Sequence, residues 1–580
     1  MCGATPVQHL VKLFASKPIP RGLAAYGHTW SAQQLVPFVN VVLGITDGAV
    51  DNRMLSALDW GIRLPLAAFT AFCPSLPALI FGHIASLVLF LVHMPFVWDH
   101  MGWSAIMEVS FVVVMLRASQ RTATKEMSTI VDHFFSIARF QMILLYFSAA
   151  FWKLTTSFLD PRTSCGTILT GELLGYLMPG EVIKIAPESM RLLLISAPLL
   201  TVLGEFAISA LLGLWPGLGV LLGLLFHFSI CLLPVNYAGG FSIACSARYV
   251  VFLPEAVAAV FEDQGCRRAW LGTTVLASAV AVAVAKGSVD ANFVLYVYFT
   301  LLYMLALLKQ ARGKTAQGAR EAMASRTVPC AIMAATMCFG LLGPIVGLQN
   351  MGSLTMYGNV KHYGGSNHLI VPTGLLQGYC RDSLFSDGAQ DTWLCDASGG
   401  WVVRVDATNS AALQRLSPAD ASDLLPANAR TLLKAAGSSG KYFAMYYSRM
   451  TSSDFLSNLS ASLGGMPAQT PYVVSLFELR RLLALARRRG EPFWLRFTPL
   501  PESVRSLGLW RTHAATEVLL DEDPRSGLMT CSLVNGSSST PCNDGVLARL
   551  GPPPWWLSKV LLPYPVPLLD GADDEVHCSA

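Results

Sequence analysis

Charge is what this chain has least of. Asp, Glu, Lys and Arg make up 13% of its 580 residues, about half the share of an average soluble protein, whereas hydrophobic residues make up 53%. So few ions cannot cover a soluble chain of this length, and a mean hydropathy of +0.48 calls for several membrane spans rather than one anchor. The formal net charge of +4 is spread thinly, with no basic stripe interleaved with aromatics, which argues against nucleic acid as a partner. Also missing are HExxH, paired CxxC, a P-loop and a dinucleotide glycine fingerprint, so no metal centre or nucleotide site is expected. The first residues carry Lys12 and Lys17 but no apolar core followed by a small-residue cleavage site, and targeting falls to the first spans.

What the chain does have is long apolar stretches. They run from Leu64 to Trp98, where Pro74 and Pro77 interrupt, then Ala105 to Leu116, Phe134 to Trp152, Leu192 to Trp215 and Leu218 to Val235. Phe241 to Val260, Trp270 to Ala285, Phe293 to Leu308 and Val328 to Leu348 complete the series. The expected fold is an α-helical polytopic membrane bundle of about seven to nine transmembrane helices, followed by an α+β extramembrane domain. The expected division is an N-terminal segment 1–55, a bundle 56–349 and an outer domain 350–580, with the lipid bilayer as first partner.

Orientation follows from the loop Lys309 to Arg326, which holds five basic residues against Glu321. By the positive-inside rule this loop is cytosolic, and the last span then carries the tail to the lumenal or extracellular side, with the endoplasmic reticulum a fitting membrane. Both glycosylation sequons, at Asn458 and Asn535, fall in the tail. Cys380 with Cys395, and Cys531 with Cys542, are spaced like loop or hairpin disulfides; unpaired thiols are the alternative. Within the tail, Trp401 to Val405, Tyr442 to Tyr447 and Phe493 to Thr498 read as strands. Ser475 and Glu478 form a capping box that opens a helix ending in Arg487 to Arg489 and stopped by Gly490.

Ionisable residues at membrane depth are costly and each asks for a partner, a cavity or a function. They are His83, His93, Arg139, Lys153, Glu205, His227 and Arg248. Lys153 stands among Phe151, Trp152 and Leu154, a setting that disfavours the ammonium form and suits a general base. A lysine ending an apolar helix beside a tryptophan is equally the pattern of a snorkelling anchor. Glu205 and His227 lie in consecutive spans, where a structural hydrogen bond and a catalytic dyad both remain open. His83 and His93 are about 280° apart around a helix and do not share a face. Gly364 to His368 reads as a tight turn after the last span.

Tyr146-Phe147-Ser148-Ala149-Ala150-Phe151-Trp152-Lys153-Leu154 resembles the Tyr-Phe-x-Ala-Gly-x-x-Lys-Leu segment of vitamin K-dependent γ-glutamyl carboxylases and the wider HTTM group. Leu225-Phe226-His227, Phe241-Ser242-Ile243 and Thr355-Met356-Tyr357-Gly358-Asn359 resemble further family segments, in the same order. The resemblance implies that Lys153 is the base toward a reduced, vitamin K-like quinone, and that a protein or peptide glutamate on the lumenal side is the substrate. Glu205 and His227 would support it. Ala150 stands where the family has glycine and Trp152 where the carboxylases have lysine, and the tail does not match the carboxylases' substrate-binding domain. A carboxylase-like enzyme and a non-catalytic scaffold presenting a lumenal binding domain are the two readings; a transporter is weaker for want of an inverted repeat.

Overall fold

The protein was analysed as a computed structural model. It describes residues 19–42, 59–72, 74–94, 99–119, 124–232, 235–284, 291–312 and 327–346, and in the tail 354–356, 358, 360, 368–371, 402–414, 427–438, 472–499, 517–542, 547, 550–552 and 566–567. The longer helices are α1 Arg21–Val42, α2 Leu64–Phe72, α3 Leu76–His93, α4 Asp99–Ser119, α5 Thr124–Trp152, α6 Cys165–Leu177 and α7 Pro187–Leu214. They continue as α8 Pro216–Cys231, α9 Val235–Arg248, α10 Pro254–Glu262, α11 Gln264–Val284, α12 Ala291–Arg312, α13 Thr327–Met337, α14 Ala427–Ala435 and α15 Leu476–Arg489. The chain is thus mostly helical, with an antiparallel sheet near its C-terminus.

Two compact units emerge: Met1–His93 with His100–Phe147 and Gly204–Met337, and Met94–Asp99 with Ser148–Leu203 and Cys338–Ala580. Ser148–Leu203, apolar enough to read as bundle, groups with the tail, and α1 packs on α2, α9, α10 and α12.

Hydropathy alone overcounts the spans. Among the described residues three helices are long and apolar enough to cross a membrane, Ser128–Trp152, Pro187–Leu214 and Phe293–Ala311, or four if the bent pair Gly240–Phe252 and Pro254–Glu262 is one span. That is fewer among the described residues than the expected seven to nine. Leu76–Val92, His100–Leu116, Pro216–Cys231 and Pro329–Ile345 are apolar but no longer than 17 residues, about 25 Å at the α-helical rise, short of the roughly 30 Å hydrocarbon core. The stretch from Leu64 breaks at Pro74, so that α2 and α3 are separate helices.

In the first unit, aromatic rings form the packing. His83 lies between Trp30 and Phe111, with ring centroids 4.4 and 4.0 Å away, and its two nitrogens meet the Leu79 carbonyl and the Tyr26 hydroxyl. A Cβ on Gly82 would come within 2.6 Å of the Trp30 ring, so only glycine allows that stack. Near Leu253 the chain bends by 95° between the two helices of the pair. The carbonyls near the bend are taken up from neighbouring helices: Arg139 Nε donates to Val251 at 2.6 Å and Tyr303 to Ser246 at 2.7 Å, as a break in apolar surroundings requires.

In the second unit, α6 and α14 meet through small residues. Gly171 faces Leu433 and Gly175 faces Ala429, whose backbone nitrogen would be 2.6 Å from a Cβ at position 175. The sheet has the order β6-β5-β4-β3-β1-β2-β7, all antiparallel, with β1 Val402–Thr408, β2 Tyr472–Ser475, β3 Phe493–Pro499, β4 Glu517–Asp523, β5 Leu528–Asn535, β6 Ser538–Pro541 and β7 Val566–Pro567. Leu479, Leu482, Leu483 and Ala486 of α15 share a core with Val403, Val405, Phe493, Leu495, Phe497, Val518 and Leu520, the alternate residues of three neighbouring strands.

The helix anticipated after Ser475 runs to Arg489, and Gly490 ends it at φ +64°. Both oxygens of Glu478 accept from Arg481, each at 2.6 Å. The basic run does more than close a dipole, because Arg487 reaches across to both oxygens of Glu522 on β4. Cys531 and Cys542 form the anticipated disulfide, Cα atoms 5.3 Å apart, and Cys165 is also disulfide-bonded. Cys380, Cys395, Asn458, the strand Tyr442 to Tyr447 and most of the basic loop lie outside the described residues. Since Gly175 leaves no room for a side chain, Gly175→Leu should lower the stability of the second unit by about 1–3 kcal/mol; thermal unfolding of the purified protein, with Gly180→Leu as the open-position control, measures it.

Candidate functional site

Lys153 and His227 belong to different units and each is described within its own. Helix α5 ends by tightening: Lys153 N bonds to Ala150 O and Leu154 N to Phe151 O, both across three residues. Thr155 then caps the short helix Thr156–Leu159, its hydroxyl accepting from Phe158 N at 3.1 Å. This reversal carries the Phe158 ring to 5.8 Å from Lys153 Nζ. Lys153 is 3% exposed, and its Nζ curls back to donate to the Ala149 carbonyl at 3.3 Å. An anchor of the snorkelling kind would hold its ammonium in water instead.

A second segment closes on the same helix end. His368 Nε2 donates to the Phe151 carbonyl at 2.8 Å, and its Nδ1 accepts from the backbone nitrogens of Ile370 and Val371. These partners define the neutral tautomer. Its ring lies 4.6 Å from Phe151 and 5.1 Å from Trp152, while Leu369 N donates to Leu154 O. The indole of Trp152 donates to Gly340 O at 2.8 Å, and Thr155 reaches Gly358 O at 3.3 Å. At Gly358 a Cβ would sit 2.6 Å from Thr355 O and 3.0 Å from Trp152 O. Two buried non-glycine residues of this segment, Leu354 at φ +60° and Met356 at φ +25°, occupy backbone conformations that cost on the order of 1–3 kcal/mol each. Such strain persists where surrounding packing imposes it, and collects at functional sites.

In the first unit His227 is fully buried and stands in a chain of polar groups. Its Nδ1 meets Ser242 Oγ at 3.1 Å, its Nε2 meets Tyr146 OH at 2.6 Å, and Tyr146 OH meets Tyr249 OH at 2.5 Å. Gly223 makes this possible, since a Cβ there would fall 2.0 Å from the Tyr249 hydroxyl. Both His227 nitrogens are thereby engaged by partners other than Glu205. Glu205 is buried and acts electrostatically on Cys245, which borders Tyr146. The chain can pass a proton along Ser242, His227, Tyr146 and Tyr249, or simply hold four elements together.

Sequence reasoning placed Lys153 and His227 but missed their neighbours. Tyr146 and Ser242 lay within segments already singled out, and His368 closed a glycine-rich turn; Tyr249 carried no signal. His93 has no described side chain. Among the described residues, no group of three or more His, Cys, Asp or Glu residues could hold a metal ion.

The fold and these clusters define a chain with apolar helices able to cross a membrane and a separate antiparallel sheet. A family model described as a domain of unknown function, DUF8388, matches residues 366–559, which include His368 and strands β1 to β6. No curated protein and no solved structure matches the chain.

Burial holds the His368 pKa below its ordinary value, against the opposing pull of the Phe151 carbonyl. A base whose folded pKa is depressed contributes stability above its unfolded pKa, about 6.5, and loses it as the pH falls below that value. Thermal unfolding of the wild type between about pH 8 and about pH 5 should therefore show a loss of stability, relative to His368→Asn, that sets in below about pH 6.5. Parallel curves for the two proteins would contradict this role.

Proposed function

We propose that the chain is a multi-pass membrane enzyme of the γ-carboxylase type, in which Lys153 is the general base toward a reduced quinone. The observation that carries this reading is the inward turn of Lys153, buried against Phe158 and the Ala149 carbonyl. An aromatic ring beside one buried amine fits an apolar hydroquinone. When bound, such a group would supply, with dioxygen, the strong base that takes the γ-proton of a glutamyl side chain before carbon dioxide adds. Lys153 would take and hold the proton of the quinol hydroxyl, and Phe158, packed beside it, keeps water from the amine. The competing reading, a scaffold presenting a lumenal binding domain, draws on the His227 chain, whose groups satisfy one another as a purely structural network does.

The tail is assigned to the lumenal or extracellular side. Supporting this are the disulfides at Cys531–Cys542 and Cys165, which belong to oxidising compartments, and the exposed sequon at Asn535 on the β5–β6 hairpin.

Lys153→Ala and Lys153→Arg should each reduce quinol-dependent fixation of labelled carbon dioxide into a glutamyl peptide by about 10²–10⁴-fold, in protein that inserts normally. Wild-type turnover by Lys153→Arg would sink the base assignment. For topology, endoglycosidase treatment should shift the wild type more than Asn535→Gln, and labelling of any tail cysteine by a cytosol-restricted maleimide in intact cells would overturn the lumenal assignment.

A further inference from the structure

Arg248 is the last residue of α9, immediately before the bend at Leu253, and is 2% exposed. Its Nη1 donates to Gln33 Oε1 at 2.6 Å and to Ala244 O at 3.0 Å, and its guanidinium carbon lies 5.3 Å from the Trp103 ring. These contacts fix the plane of the group. Nε and Nη2 are both buried and have no hydrogen-bond partner among the described residues. They share one edge of the guanidinium, the edge that a carboxylate takes with two parallel hydrogen bonds. Capping the helix end accounts for Nη1 alone. Two donor nitrogens of a buried cation left unmatched are expensive, and broken membrane helices are where binding sites are found.

We propose that this edge of Arg248 binds a monoanionic carboxylate. Groups in electrostatic reach of Arg248 are Tyr26, His83, His100, Glu108 and Cys245. Of these only Glu108 is an acid, and its Oε1 is engaged by Trp30 and Ser86 instead of forming an ion pair with Arg248. A dianion such as phosphate would have to give up the hydration of two charges against one buried cation, which selects a single charge. The carboxylate reaches the site either as a small aqueous ion or as the head of a fatty acid from the lipid. The site is independent of Lys153 and stands whether or not the carboxylase reading does.

The test is titration calorimetry on the full-length protein in detergent, with acetate, octanoate and inorganic phosphate as probes. Saturable binding of one carboxylate per chain is expected, with acetate answering for the aqueous source and octanoate for the lipid source. Arg248→Lys keeps the charge but loses the paired edge and should weaken binding about tenfold or more. Should Arg248 variants fail to fold, saturable carboxylate binding by the wild type, and its order against phosphate, still decides the assignment. Absence of saturable carboxylate binding to the wild type, equal affinity in Arg248→Lys, or tighter binding of phosphate than of either carboxylate would each overturn the assignment.

Discussion

A polar group withdrawn from water must find a partner nearby or cost several kcal/mol, and that constraint organises both units. In the first, the bend near Leu253 releases backbone carbonyls, and the structure answers with Arg139 on Val251 and Tyr303 on Ser246. His83, His227 and Tyr146 each have partners for the atoms that burial strips of water. Arg248 is the cation for which this matching stops at one nitrogen of three. In the second unit the same rule turns Lys153 inward to a main-chain carbonyl and seats His368 on another.

Strain and satisfaction meet at the end of α5. Leu354 and Met356 hold backbone angles that leucine and methionine disfavour, and the Leu354 side chain packs against Gly340, which accepts from Trp152. The Trp152–Gly340 and His368–Phe151 hydrogen bonds fasten the segments on either side of that strained turn. The geometry around Lys153 is thus held from several directions, the arrangement a base needs if its amine is to keep one position.

How much of this was legible beforehand depended on distance along the chain. Lys153 and the end of its helix could be located from neighbouring residues, as could α15, whose capping pattern and arginine run are local. The hairpin disulfide was readable for the same reason, its cysteines being 11 residues apart. His368 was not, because its partner is a carbonyl 217 residues away, and a backbone acceptor leaves no mark in the residue code. The number of helices of spanning length was less legible, because hydropathy sums apolar character but does not locate a 95° bend or the end of a helix at Cys231. Arg248 was flagged as an ion at depth, but its unmatched edge exists only in three dimensions.

The glycine face of α6 has a mechanical meaning. Gly171 and Gly175 let α14 of the tail lie directly against a helix that begins only a few residues after Lys153 and Phe158. A displacement of α14 is therefore passed to α6 through backbone contact, with no side chain at position 175 to absorb it. At Gly175 the two helices are, in that sense, one lever.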